Sequence, residues 1–142
     1  MAKKRVLFLC TGNSCRSQMA EAFLKKYGSD DFEAFSAGLT PKGIHPLTVQ
    51  VMAEIGLDLS KQTSKHIDRY LNKVDFQYLI TVCDDADKNC PTIWLQGSKR
   101  MHWSFEDPAK FEGSPEEKLA KFRQVRDLIE SKIKEWLASQ PA

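Results

Sequence analysis

The stretch RVLFLCTGNSCRSQMAEAF, residues 5–23, constrains the fold of this chain more than any other. Arg5 to Leu9 is a short continuous apolar run that breaks off at Thr-Gly-Asn. That is the pattern of a buried strand in a parallel sheet, not of a strand with one wet face. Met19, Ala20, Phe23, Leu24 and Tyr27 then recur at helical spacing, and Gly28 closes the helix. Strand, tight loop and helix therefore follow one another without a linker, and Cys10 and Arg16 stand at the two ends of the loop as Cys-x5-Arg.

The rest of the chain continues the alternation. Phe32 to Ser36 reads as a second strand ended by Ala37-Gly38. Pro46 opens a helix with Leu47, Val51, Met52 and Ile55 on its apolar face and Gly56 as its stop. Ile67, Tyr70 and Leu71 suggest a short helix, Phe76 to Val82 a third buried strand, and Lys99 to Trp103 a short fourth. Ser114-Pro115-Glu116-Glu117 is a helix start with Ser as N-cap, Pro at the first position and Glu at the third. Leu119, Phe122, Val125, Ile129, Ile133 and Trp136 follow as one apolar stripe. This order predicts an α/β fold, a three-layer α-β-α sandwich around a four-stranded parallel sheet, with residues 1–142 as a single domain. Sites in such sheets lie at the carboxyl ends of the strands. Cys10 ends the first strand and Cys83 the third, so two distant thiols are expected on one edge.

Four cysteines, Cys10, Cys15, Cys83 and Cys90, need an account. The basic start MAKKR and short apolar run are not a signal peptide, because no small-residue cleavage site follows, so the expected location is the cytoplasm. Thiols in a reducing compartment are not a structural disulfide framework. Cys-x4-Cys and Cys-x6-Cys suit zinc poorly, and His45, His66 and His102 show no ligand spacing, so no metal is expected. No segment reaches the length of a membrane helix. A formal charge of +2 gives no case for nucleic acid. Catalytic or redox thiols remain. Trp94, Trp103 and Trp136 read as core aromatics.

The loop CTGNSCR is built for a tetrahedral oxyanion. Backbone N–H groups of Thr11, Gly12, Asn13, Ser14, Cys15, Arg16 and Ser17 can turn inward at a helix N-terminus, where the positive end of the helix adds to them. Gly12 permits the tight turn. Arg16 offers a two-pronged fork to oxyanion oxygens. The same field lowers the pKa of the Cys10 thiol, and Ser17 is near enough in sequence to donate to the thiolate. Each piece also has an ordinary reading: a strand-ending cysteine as core filler, an early helical arginine in solvent, Asn13 and Ser14 as turn residues. The strand–loop–helix context favours the site. Cys15 reads as a small buried thiol, close enough to Cys10 for a disulfide under oxidation.

VLFLCTGNSCRSQMAEAF followed by FSAG resembles the low-molecular-weight tyrosine phosphatase superfamily. Within it, GLDLSKQTSK, ITVCDDADKNCP, HWSFEDPAK and the last helix are similar to the thioredoxin-coupled arsenate reductases across essentially the whole chain. The resemblance implies Cys10 as nucleophile, forming an arseno-adduct as water leaves. Cys83 then attacks Cys10 and arsenite departs, and Cys90 takes the disulfide over as Cys83–Cys90 for thioredoxin to reduce. No bound cofactor is implied, since thioredoxin supplies the electrons. Asp84 to Asn89 are polar or small, which suits a segment that moves to bring Cys90 inward.

Asp107-Pro108 is by itself a common turn; the resemblance makes Asp107 the general acid that protonates a leaving oxygen. Family phosphatases often follow Asp-Pro with tyrosines that receive an aryl group. Ala109 and Lys110 stand there instead, which suits a small inorganic substrate. Related reductases bind potassium through residues matching Asn13, Glu21 and Ser36 plus an acidic residue, and Lys65 stands at that last position. Its ammonium is expected to take the cation's place. The expected partners are arsenate and thioredoxin, acting on a monomer. A low-molecular-weight phosphatase, and a non-catalytic oxyanion binder or thiol redox sensor, remain the alternatives.

Overall fold

A computed structural model of the chain describes residues 3–70, 73–83 and 98–140. The described elements are β1 (Lys4–Cys10), α1 (Arg16–Gly28), β2 (Phe32–Gly38), α2 (Pro46–Ala53), β3 (Tyr78–Thr81), β4 (Lys99–His102) and α3 (Pro115–Ala138). Single 3-10 turns occur at Ile67–Arg69 and Pro108–Lys110. The strands form one parallel sheet in the order β2-β1-β3-β4. β1 is hydrogen-bonded on both sides, which is why Val6 to Cys10 are all buried and the run shows no alternation.

Register brings the carboxyl ends level. Cys10 pairs with Gly38 on β2, and Leu9 with Thr81 on β3. Cys83 lies just past β3, on the same edge as Cys10, as the strand assignments required.

Side chains three apart on β2 point to opposite faces, so Phe32 and Phe35 mark the two faces of the sheet. Phe32 packs on Trp136 of α3 at 5.0 Å, and Trp136 also meets Tyr78 at 5.2 Å and Trp103 at 6.0 Å. Phe35 meets Tyr70 and Phe76, each at 5.3 Å. Both faces are therefore covered by apolar side chains, the arrangement of an α-β-α sandwich.

The long helix starts as the sequence predicts. Ser114 Oγ accepts from Glu117 N–H at 3.2 Å, and Glu117 Oε1 accepts from Ser114 N–H at 3.1 Å. Gly56 has a φ of 82° and terminates the α2 region in the left-handed conformation. Gly28 works differently from the expectation. It has no positive φ and remains within α1. A Cβ there would meet Leu24 Cδ1 at 2.8 Å and Leu137 Cδ2 at 3.1 Å, so this glycine serves the close approach of α1 to α3. Leu71 of the expected short helix, Trp94, and the segment from Asp84 to Cys90 lie outside the described residues.

Candidate active site

Every carbonyl of the loop Cys10–Ser14 is engaged on its outer side. Leu39 N–H donates to Cys10 O at 3.3 Å, Thr40 to Thr11 O at 2.8 Å, Lys42 to Gly12 O at 3.0 Å and His45 to Ser14 O at 3.2 Å. The remaining carbonyl, Asn13 O, accepts from Gln18 Nε2 at 3.1 Å. With the carbonyls fixed outward, the peptide N–H groups of the turn face inward, and Gly12 N–H reaches the Cys10 sulfur. No side chain caps α1 and its first turn holds no acid, so the positive end of the helix also faces the loop.

The residue that bears the turn's backbone cost is not Gly12. Asn13 is the one described non-glycine residue at positive φ, 46°. Its side chain compensates: Oδ1 accepts from Lys65 N–H at 2.9 Å and Nδ2 donates to Ser17 Oγ at 2.8 Å. A Cβ on Gly12 would find only ordinary van der Waals contacts, whereas one on Gly38 would meet Thr11 O at 2.8 Å and Asn13 N at 2.9 Å. The glycine that permits close approach is therefore at the end of β2, pressed against the loop from outside. Ser17 is likewise part of the loop's scaffold. It accepts from Asn13, and among the described residues no hydrogen bond joins it to Cys10.

Arg16 ties the loop to the turn that carries Asp107. Its Nη1 donates to Phe105 O at 3.0 Å, and Nη2 lies 3.5 Å from Asp107 Oδ2. Arg16 Nε is buried and has no hydrogen-bond partner among the described residues. An orphaned, charged donor at the base of a nest of N–H groups is unfavourable unless an anion meets it, so the arrangement fits an oxyanion. Asp107 caps the 3-10 turn after it, its Oδ1 accepting from Ala109 N–H at 3.0 Å. Its turn role and its place beside Arg16 thus coexist.

Cys10 and Cys83 are both buried thiols within hydrogen-bond reach of each other. The Cys10 pKa is accordingly raised, against the expectation from the loop's field. The cause is first the hydrogen bond with Cys83 and then burial, while Arg16 and Gly12 N–H pull the other way. Thr11 Oγ1 stands 3.3 Å from Cys83 Sγ. Cys15 is buried beside Ser14 and Thr48, its thiol pushed up by burial. Cys90, the expected third thiol, lies outside the described residues.

These groups line a cavity of about 870 Å³ whose walls include Cys10, Arg16, His45, Cys83, Asp107 and Lys110. The expected potassium ligands also converge, behind the loop. Glu21 and Lys65 are 5% and 8% exposed, with Lys65 Nζ 3.8 Å from Glu21 Oε1 and 2.7 Å from Thr63 O. Ser36 Oγ donates to Glu21 Oε1, and Lys25 Nζ lies 2.5 Å from Glu21 Oε2. Burial lowers the Lys65 pKa and Glu21 counters it. No group of three potential metal ligands occurs among the described His, Cys, Asp and Glu side chains.

Sequence reasoning missed the Thr11–Cys83 contact, the Phe105 carbonyl on Arg16, and the bracing of the loop by residues 39–45. None of these has a local motif; each joins segments far apart in the chain.

Residues 5–140 match the family described as low molecular weight phosphotyrosine protein phosphatase. The chain is 51% identical over 138 residues to the arsenate reductase of Shouchella clausii (strain KSM-K16), covering 96% of each. A solved structure described as an arsenate reductase in oxidized state superposes with a TM-score of 0.80 at 32% identity, covering 95% of this chain and 97% of that one. The thioredoxin-dependent arsenate reductase of Corynebacterium glutamicum superposes with a TM-score of 0.72 at 28% identity, covering 96% of this chain and 61% of that one.

Proposed function

The chain belongs to the low molecular weight phosphotyrosine protein phosphatase family, and from that premise we propose that it reduces arsenate to arsenite as a thioredoxin-coupled enzyme. One observation carries this: a second thiol, Cys83, meets the nucleophilic Cys10 inside the oxyanion cavity. Hydrolysis of a cysteinyl-phosphate has no use for it. Reduction does, because two electrons must come from somewhere and a pair of thiols becoming a disulfide supplies them.

The chemistry follows from the groups present. Arsenate sits on the loop N–H groups and Arg16. The Cys10 sulfur bonds to arsenic, and an oxygen leaves as water with a proton from Asp107. Cys83 then attacks the Cys10 sulfur. The sulfur–arsenic bond breaks, its electron pair stays on arsenic, and arsenite departs. Cys90 attacks Cys83 and frees Cys10, and the dithiol of thioredoxin reduces the Cys83–Cys90 disulfide. The raised Cys10 pKa means that the resting nucleophile is a protonated thiol hydrogen-bonded with Cys83, so a proton leaves Cys10 as it attacks. Residues 1–142 act as one domain and a monomer in the cytoplasm, with no resident cofactor.

A coupled assay tests the reading. With thioredoxin, its reductase and NADPH, oxidation of NADPH should require arsenate and stop when thioredoxin is omitted. Cys10→Ser should abolish it, and Cys90→Ser should permit a single turnover only. Arsenate-independent oxidation would indicate a redox sensor instead.

Lys65 serves as a built-in cation for Glu21. Turnover and melting temperature should therefore be the same in potassium as in sodium. Lys65→Gln, which leaves Glu21 with Lys25 alone, should acquire a potassium response. Clear stimulation of the unaltered protein by potassium would refute this role.

A further inference from the structure

His45 lines this cavity, and the chemistry described above gives its imidazole no role. It is the N-cap of α2, with Nδ1 accepting from Leu47 N–H at 3.0 Å. Capping alone calls for no more than a short oxygen-bearing side chain such as Ser or Asn. The ring is held in place from two sides. The His45 backbone N–H donates to Ser14 O at 3.2 Å, which ties it to the loop, and Phe122 packs on the imidazole at 4.8 Å between centroids. His45 also lines the cavity together with Cys10, Arg16 and Asp107.

The cap decides the tautomer. An Nδ1 that accepts from a backbone N–H carries no proton, so the neutral ring bears its hydrogen on Nε2. Burial favours that neutral form, lowering the pKa, with the Asp107 charge opposing it in part. Nε2–H has no hydrogen-bond acceptor among the described residues. The ring is thus a donor of fixed direction that adds no charge.

We propose that His45 is a substrate-contacting residue whose Nε2–H donates to an oxygen of the oxyanion held above Cys10. The proposal rests on the loop being an oxyanion site, as above. His45 and Asp107 then meet the anion from the cavity wall, while Arg16 and the loop N–H groups meet it from below. A neutral donor favours an unprotonated oxygen and leaves Arg16 as the charge that sets affinity.

The test uses inorganic phosphate as the probe, measured by its protection of Cys10 from iodoacetamide. Serine caps a helix well but ends at its γ-oxygen, so His45→Ser keeps the cap and removes the donor. At a temperature where the variant stays folded, His45→Ser should weaken phosphate binding by about five- to tenfold, the loss expected for one hydrogen bond. In the unaltered protein, phosphate should shift the His45 Nε2–H resonance while Nδ1 stays unprotonated. Wild-type affinity in His45→Ser with an unmoved resonance would overturn the proposal. So would a loss of affinity in His45→Ser when phosphate leaves the His45 Nε2–H resonance of the unaltered protein unmoved, since that marks a packing role. Absence of protection in the unaltered protein would instead overturn the oxyanion site itself.

Discussion

Cys83→Ser is expected to reduce arsenate turnover to the assay background while leaving aryl phosphate hydrolysis within about twofold of the unaltered protein. The substitution is nearly isosteric, and a serine hydroxyl can keep the contact that Thr11 Oγ1 makes with Cys83 Sγ at 3.3 Å. It cannot form a disulfide, so the electrons that convert As(V) to As(III) have no source. Hydrolysis needs only Cys10, Arg16, the loop and Asp107, all of which remain. A second readout follows from the cause of the raised Cys10 pKa. The leading contribution is the hydrogen bond with Cys83, so removing that thiol lowers the Cys10 pKa and raises the thiolate fraction at neutral pH. Alkylation of Cys10 by iodoacetamide at pH 7 should therefore be faster in Cys83→Ser. Persistent arsenate reduction in the variant would refute the relay, and an equal loss of both activities would mean that Cys83 is structural.

Arg16→Lys should lower kcat/KM for arsenate by about 10²–10³ although the charge is kept. The guanidinium holds Phe105 O with Nη1 and faces Asp107 with Nη2, leaving the buried Nε for an oxyanion oxygen. An ammonium is a single point of charge. It can serve the Phe105 carbonyl or the anion, and it cannot hold the fork geometry between them. The loss should appear in phosphate protection as well as in turnover, because the group binds the ground state too. A loss below about tenfold would show that charge, and not the fork, is what the site requires.

The parts of this site that were legible in the sequence are those that lie close together along the chain. The apolar run into Cys-x5-Arg placed β1, the loop and α1, because burial on both sides of β1 removes the alternation that an exposed strand would show. The capping box at Ser114 and Glu117 fixed the start of the long helix for the same local reason. The meeting of Cys10 with Cys83 was also readable, since parallel strands share a carboxyl edge. What sequence could not give was the division of labour among neighbours. Gly12 looked like the essential glycine, but the close approach belongs to Gly38, 2.8 Å from Thr11 O for an added Cβ. The Cys10 pKa was expected to fall with Arg16 and the helix end in view. It rises because of a hydrogen bond with a thiol just past β3, and because of burial. Lys65 could be aligned with a cation, but its place against Glu21 comes from contacts with distant segments, Lys65 N–H to Asn13 Oδ1 and Gly38 N–H to Lys65 O.

The bracing of the site has a consequence for how the chain comes to possess it. Asn13 to Lys65, Thr11 to Cys83 and Arg16 to Phe105 are contacts across 52, 72 and 89 residues. A parallel sheet in the order β2-β1-β3-β4 contains no hairpin that could form such contacts early. Loops of this length must close before the contacts repay them, which delays assembly to the late stages of folding. A nascent or half-folded chain therefore keeps Cys10 and Cys83 apart. The two thiols meet only when the cavity around them is complete, so their pairing is a property of the finished fold and not of the folding chain.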